Sequence, residues 1–232
     1  DSISGKIIIT GGTVKASGGG SAAAIGGGFC GQVNEIDISG GQITATAGKN
    51  GGSAIGSGVS QAASASDAIG CGAINVTGGK ISAYGNIGYG KDYTITQFYN
   101  GGSITISDEA DVAIYDSGVI YPASNQDQNG FYDLRFTIYD EDITKNCPVT
   151  VKFSGNEYSA ELSVSGYTGQ LSGKYSAAKG LSGKKRVSIV SDTKQWDFDI
   201  DFVDGTTGYS ATVGKIYTYS AVISDARLVS DG

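Results

Sequence analysis

A pair of adjacent glycines recurs between short runs of β-branched residues, and this repeat limits the fold more than any other feature of the chain. Ile7-Ile8-Ile9-Thr10-Gly11-Gly12-Thr13-Val14-Lys15-Ala16 aligns with Ile36-Asp37-Ile38-Ser39-Gly40-Gly41-Gln42-Ile43-Thr44-Ala45. Both align with Ile74-Asn75-Val76-Thr77-Gly78-Gly79-Lys80-Ile81-Ser82-Ala83. A degenerate fourth copy runs through Ile104-Thr105-Ile106-Ser107 and Val112-Ala113-Ile114. A second signature, Ala24-Ile25-Gly26, Ala54-Ile55-Gly56 and Ala68-Ile69-Gly70, falls between the copies. Self-similarity at a period of about 30 residues marks units that bury their apolar faces only by stacking on their neighbours.

The triplets alternate apolar and polar residues with the two-residue period of a strand, and no stretch carries helical periodicity. Gly-Gly breaks each strand where the chain must turn, because glycine accepts positive φ without steric cost. Each unit therefore reads as strand, glycine corner, strand, glycine-rich turn and short third strand. Stacked about 4.8 Å apart, such units form a parallel β-helix. The prediction for residues 1–116 is a short right-handed β-helix of about four coils, with Ile9, Ile38 and Val76 in one ladder. Residues 59–67 are expected to bulge from a coil as a loop.

Beyond Asp116 glycine thins and aromatics rise. Residues 122–130 read as a linker, followed by strands at Leu134–Tyr139, Val149–Phe153, Tyr158–Val164, Arg186–Val190, Trp196–Phe202 and Ile216–Ile223. Turns are expected at Ser154–Glu157 and Ser191–Lys194. Residues 117–232 are thus predicted to form an antiparallel β-sandwich-like domain of immunoglobulin-like size. The fold class is all-β.

The 232 residues include no His, which removes the usual general base near neutral pH and the commonest metal ligand. Serine-hydrolase triads and Cys–His nucleophiles cannot be assembled from this chain alone. A net charge of −7 argues against nucleic acid or an anionic membrane surface as partner. No run approaches the ~18 apolar residues of a membrane-spanning helix. The start at Asp1 is read as that of a processed or excised piece.

Among candidate chemical groups, Cys30 and Cys71 are expected at equivalent places one coil apart. Two readings stand for them, a disulfide or a reduced apolar ladder. Cys147 is read as a buried thiol. Asp197, Asp199 and Asp201 alternate with Phe198, Ile200 and Phe202, so the carboxylates share one face. They are read as a calcium ladder, as a retaining-glycosidase-like carboxylate pair, or as a solvated face neutralised by Lys184, Lys185 and Arg186. Asp108, Glu109, Asp111 and Asp116 are read as charges that blunt the end of the solenoid. Tyr84, Tyr89, Tyr93 and Tyr99 cluster in and after the third coil. With Trp196, Tyr84 and Tyr89 are the candidate ligand-stacking aromatics. No organic cofactor is expected, and calcium is the one ion these carboxylates would admit.

Residues 3–115 resemble the glycine-rich repeat segments of large surface proteins from anaerobic, gut-type bacteria, through Ile9–Val14, Ala24–Gly28, Cys30-Gly31 and Cys71-Gly72. The resemblance implies a right-handed β-helix, placement on the bacterial cell surface, and adhesion or carbohydrate binding. A looser likeness to β-helix proteins that bind pectic polysaccharide lacks their Asp-rich calcium turns. Val213–Tyr219 is similar to the last strand of fimbrillin-type pilus subunits. The expected protein is a non-enzymatic extracellular module, part of a larger protein, whose partner is a glycan or a host surface protein. Alternatives are a polysaccharide-degrading enzyme on a β-helix and a pilus or fibre subunit.

Overall fold

The computed structural model of the chain describes residues 2–61, 70–91, 101–116, 131–176 and 181–214. The protein is all-β. Among the described residues there is no helix, so none is long and apolar enough to cross a membrane. The expected linker, most of the loop at residues 59–67, Tyr93, Tyr99 and the strand expected at Ile216–Ile223 lie outside the described residues.

The repeat units stack as their sequence alignment predicts. β1 (Ser2–Ile9), β4 (Gly31–Ile38), β7 (Ala73–Val76) and β10 (Ser103–Ile106) form one parallel sheet. β2 (Thr13–Ser17), β5 (Gln42–Thr46), β8 (Lys80–Tyr84) and β11 (Asp111–Tyr115) form a second parallel run. The two-residue strands β3 (Ile25–Gly26), β6 (Ile55–Gly56) and β9 (Ile87–Gly88) form a third. Register places Ile9, Ile38, Val76 and Ile106 in one column. Val14, Ile43, Ile81 and Val112 make another.

The period-2 alternation turns these columns inward. Ile36, Ile38, Ile74, Val76 and Ile81 are completely buried, and each such side chain contributes ~1.5–3 kcal/mol relative to exposure. At the corners the ladder is not interrupted. Ser39 N–H donates to Ile9 O (2.9 Å), and Thr77 N–H to Ile38 O (2.8 Å).

The third sheet corrects one alignment. The partner of Ile55-Gly56 is Ile87-Gly88, not Ala68-Ile69-Gly70, of which only Gly70 lies among the described residues. The strict requirement here is glycine. Gly26 (φ 141°) and Gly56 (φ 135°) lie so close to the next unit that a Cβ would collide with the carbonyls of Gly56 and Gly88 respectively.

The second half adds β12 (Tyr132–Tyr139), β13 (Cys147–Phe153), β14 (Asn156–Ser165), β15 (Thr168–Tyr175), β16 (Gly183–Val190), β17 (Gln195–Phe202) and β18 (Gly208–Val213). β13 and β14 are joined by Ser154-Gly155, both at positive φ (51° and 80°), the mirror-image turn that suits strand twist. β14 first pairs with β13, then passes its last residues, Ser163–Ser165, to β15. β12 lies between β15, antiparallel, and β18, parallel. Their inner faces meet in an aromatic-rich core, with Phe136 of β12 and Phe198 of β17 at a 4.9 Å centroid distance.

Two strands were not foreseen. β15 carries Gly169 and Gly173 at inward positions, where Leu162 and the Tyr115 ring fill the space that a Cβ would occupy. Its apolar alternation is therefore supplied by neighbours. β18 alternates exposed Gly208, Ser210 and Thr212 with half-buried Tyr209, Ala211 and Val213, a three-residue stripe that packs on the second core without being enclosed by it.

The halves share a strand. β11 pairs with β8 on one edge and, antiparallel, with β15 on the other through Ala113↔Tyr175 and Tyr115↔Gly173. Val112 and Ile114 belong to the core of the repeat units, while Ala113 and Tyr115 belong to the second core. Ser176 secures the junction. Its Oγ accepts from Val112 N–H (2.7 Å) and donates to Ala110 O (3.0 Å).

Candidate functional site

The same junction opens a cleft. The outer face of β2, β5 and β8 presents Lys15, Thr44, Thr46 and Tyr84, which point away from the repeat core because their neighbours Val14, Ile43, Ala45, Ile81 and Ala83 point into it. β14 forms the facing wall with Ser159, Glu161 and Ser163. One arm of about 700 Å³ continues past β13 to Asp192. The other, about 450 Å³, runs toward Arg135, Gln170 and Ser172. Tyr84, Asp116, Glu161 and Ser163 line both arms. Volumes of this size suit a small ligand.

Tyr84 is the centre of the cleft floor. Its ring packs against Tyr115 at 4.9 Å between centroids, and its hydroxyl donates to Ser159 O at 2.9 Å. Burial, then the charges of Asp116 and Glu161, push its phenol well above the ordinary range, so it stays a neutral donor. Asp116 sits at the end of β11 with φ 57°. Burial first, and Glu161 second, raise its carboxyl above 3.8. Glu161 accepts a hydrogen bond from Asn146 Nδ2 at 3.3 Å. Beneath them, Tyr115 is 2% exposed and its hydroxyl has no partner in hydrogen-bond geometry.

The sequence-derived candidates disperse. Tyr84 lines the cleft. Tyr89 does not face solvent: it is 3% exposed, packs in the core of the repeat units, and donates to Gly101 O at 2.6 Å. It is a packing residue rather than a ligand platform. Trp196 is 9% exposed and its Nε1 donates to Asp140 at 3.0 Å. It borders a separate hollow of about 240 Å³ beside Ile143, Cys147 and Pro148.

Asp197, Asp199 and Asp201 do share one face of β17, opposite buried Trp196, Phe198, Ile200 and Phe202. Arg186 and Lys184 both contact Asp199 at 3.2 Å, and Ser188 donates to Asp197 at 2.6 Å. These contacts hold both carboxyls below 3.8, Ser188 and then Gln195 acting on Asp197, Lys184 and then Arg186 on Asp199. Lys185 lies opposite Ile200 in register. Among the described residues no group of three or more Cys, Asp or Glu is placed to hold a metal ion.

The expected alignment of Cys30 with Cys71 does not hold. Ala73 pairs with Glu35, so two positions earlier Cys71 falls level with Val33, three residues from Cys30. All three cysteines are free thiols. Cys71 is fully buried, and burial raises its thiol to about 11. The mismatch is visible in the sequence: Cys30 stands ten residues before its Gly-Gly pair and Cys71 seven. Cys147 is half-buried rather than enclosed.

The acidic cluster also divides. Asp108, Glu109 and Asp111 stay at the β10–β11 turn, whereas Asp116 enters the cleft. Glu161 was missed because it reads as one outward position of an alternating strand. Only the approach of β14 to β8 and β11, which no local pattern encodes, brings it beside Tyr84 and Asp116. No family model, no curated protein and no solved structure matches this chain.

Proposed function

We propose that the chain is a non-enzymatic extracellular surface module that binds carbohydrate or mediates adhesion through the cleft at the junction of its halves. In this reading the repeat units are about four coils of a short right-handed parallel β-helix. The strands from β12 onward form an immunoglobulin-sized β-sandwich docked on its flank. The module belongs to a larger protein on a bacterial cell surface, and its partner is a glycan or a host surface protein.

The observation that carries this reading is the composition of the cleft. The ring of Tyr84 lies among hydroxyls and carboxylates (Thr44, Thr46, Ser163, Asp116 and Glu161), the mixture of flat apolar surface and polar groups that a sugar ring engages. The absence of His from the chain leaves the site poor in groups that shuttle protons near neutral pH.

A glycan panel with calorimetric follow-up tests it. Binding is expected to at least one surface polysaccharide without shortening of the chain. Thr46→Trp, an exposed position on the cleft floor, is expected to weaken binding about tenfold or more by filling the groove. Silence across the panel, or cleavage of the bound glycan, overturns the reading. Binding untouched by Thr46→Trp overturns its placement in the cleft.

A further inference from the structure

We infer that the open end of the stack, built from β1, β2 and β3, is a docking surface for one more glycine-cornered coil, carried by the same polypeptide ahead of β1 and running parallel to it. This rests on the reading that the module belongs to a larger protein, and names what the neighbouring segment must be.

Two glycines of the first unit point to that occupant. By register Gly11 corresponds to Gly40 and Gly78, and Gly28 to Gly58 and Gly90. In the later units these positions are glycine because the preceding unit lies against them. A Cβ on Gly40 would stand 2.7 Å from Thr10 O, and one on Gly78 2.8 Å from Ser39 O. A Cβ on Gly58 or Gly90 would collide with the carbonyl of Gly28 or Gly58 respectively. A Cβ on Gly11 or Gly28 meets nothing within 4 Å, and neither residue has a left-handed φ. Nothing in their own unit calls for glycine; the carbonyls of a preceding parallel coil do.

The same end leaves the core unroofed. Ile36, Ile38, Ile43 and Ala45 are at most 1% exposed, whereas Ile7, Ile9, Val14 and Ala16, the next members of their columns, are only partly buried. Phe29 is 53% exposed where its counterpart Val59 is fully buried. Among the described residues β1, β2 and β3 each pair along one edge alone. Open edges are ordinarily blunted by proline or by inward charge. Residues 2–30 contain no proline, and their two charged side chains turn outward, Lys6 to Glu35 and Asp37, Lys15 to the cleft. A second copy of the chain does not supply the missing coil. Its far end is closed at β11 by β15, and head to head its strands would run antiparallel, out of step with the two glycines.

The test joins a copy of residues 2–30 directly ahead of Ser2, repeating the 29-residue step from β1 to β4. The added coil is expected to slow amide hydrogen exchange in β1 and β2 about tenfold or more. Gly11→Ala or Gly28→Ala in the original first unit is expected to return exchange to its starting rate. In the chain without the copy, the same substitutions are expected to change that rate by less than about twofold, because each Cβ enters open space. Exchange unaltered by the added coil overturns the docking surface. So does protection that survives both substitutions, or an equal effect of them with and without the copy. A dimer of the 232-residue chain in light scattering, dissolved by Gly28→Ala, makes a second copy the occupant instead.

Mass mapping of the intact parent protein supplies the second arm. It is expected to find a Gly-Gly pair between apolar-x-apolar triplets about 29–38 residues before Gly11, the spacing of the pairs already present. A parent that extends ahead of β1 without such a unit overturns the docked coil and leaves the larger-protein reading standing. A parent that extends at neither end overturns both.

Discussion

Tyr84 on β8 donates its hydroxyl to the carbonyl of Ser159 on β14, a bond 2.9 Å long between residues 75 positions apart. It ties the outer face of the third repeat unit to the wall of the second half. Tyr84→Phe keeps the ring against Tyr115 and removes only this bond, so a loss of about 1 kcal/mol is expected. Tyr84→Ala also removes the aromatic contact and should cost more, by a further ~0.5–1.5 kcal/mol beyond lost area. Denaturant unfolding of both variants distinguishes them; equal losses would show that the ring contact contributes nothing.

The column of glycines in the third sheet makes a second prediction. Gly56→Ala places a Cβ against the Gly88 carbonyl at a φ of 135°, and is expected to destabilise the protein by about 3 kcal/mol or more. Gly12→Ala, at φ 82° but with nothing within 4 Å of the added Cβ, isolates the backbone cost at about 1–2 kcal/mol. Thermal melts of the pair measure the difference due to the close approach.

Asp140 organises the loops beside Trp196. Burial raises its pKa, but hydrogen bonds from Lys194, from Asp142 N–H and from Trp196 Nε1 outweigh it and the carboxyl is lowered from 3.8. Because the folded value is the lower one, its contribution is present above the ordinary aspartate range and disappears as pH falls through the folded pKa. Stability of the native protein should therefore decline below about pH 4, in the range set by that ordinary value. Asp140→Asn should flatten the decline. Chemical unfolding at stepped pH checks this, and an unchanged slope would remove Asp140 from the account.

The cysteines give a labelling prediction. Cys71, with a thiol raised to about 11 and no exposed surface, is expected to resist alkylation in the folded protein at pH 8 and to react on denaturation. Cys30 and Cys147, both half-buried, should react first. Peptide mapping under non-reducing conditions should find no Cys30–Cys71 link. Recovery of that link would require a three-residue shift of the β4–β7 register.

The repeat was legible because each unit restates one pattern and register follows from the Gly-Gly pairs alone. Ile9, Ile38 and Val76 stack as that pattern requires. Legibility failed where unit lengths differ. The offset from β1 to β4 is 29 residues and from β4 to β7 it is 38, so matching Cys30 to Cys71 by their neighbours rather than by the strands misplaced them. β15 escaped notice because Gly169 and Gly173 borrow their apolar filling from Leu162 and Tyr115, a property of the partner strands. The cleft was legible only in Tyr84. Asp116 and Glu161 meet across a chain separation that local alternation cannot convey.

β11 gives one edge to a parallel neighbour and the other to an antiparallel strand. A stack of like units has no intrinsic length, since every coil offers the next an identical template. By reversing direction at that edge, β15 acts as a terminator: copies of the chain cannot extend this sheet head to tail into a filament from that side. Units stacked ahead of β1 would leave untouched both this terminator and the cleft floor carried by β2, β5 and β8, so the length of the stack and the shape of the cleft are separable.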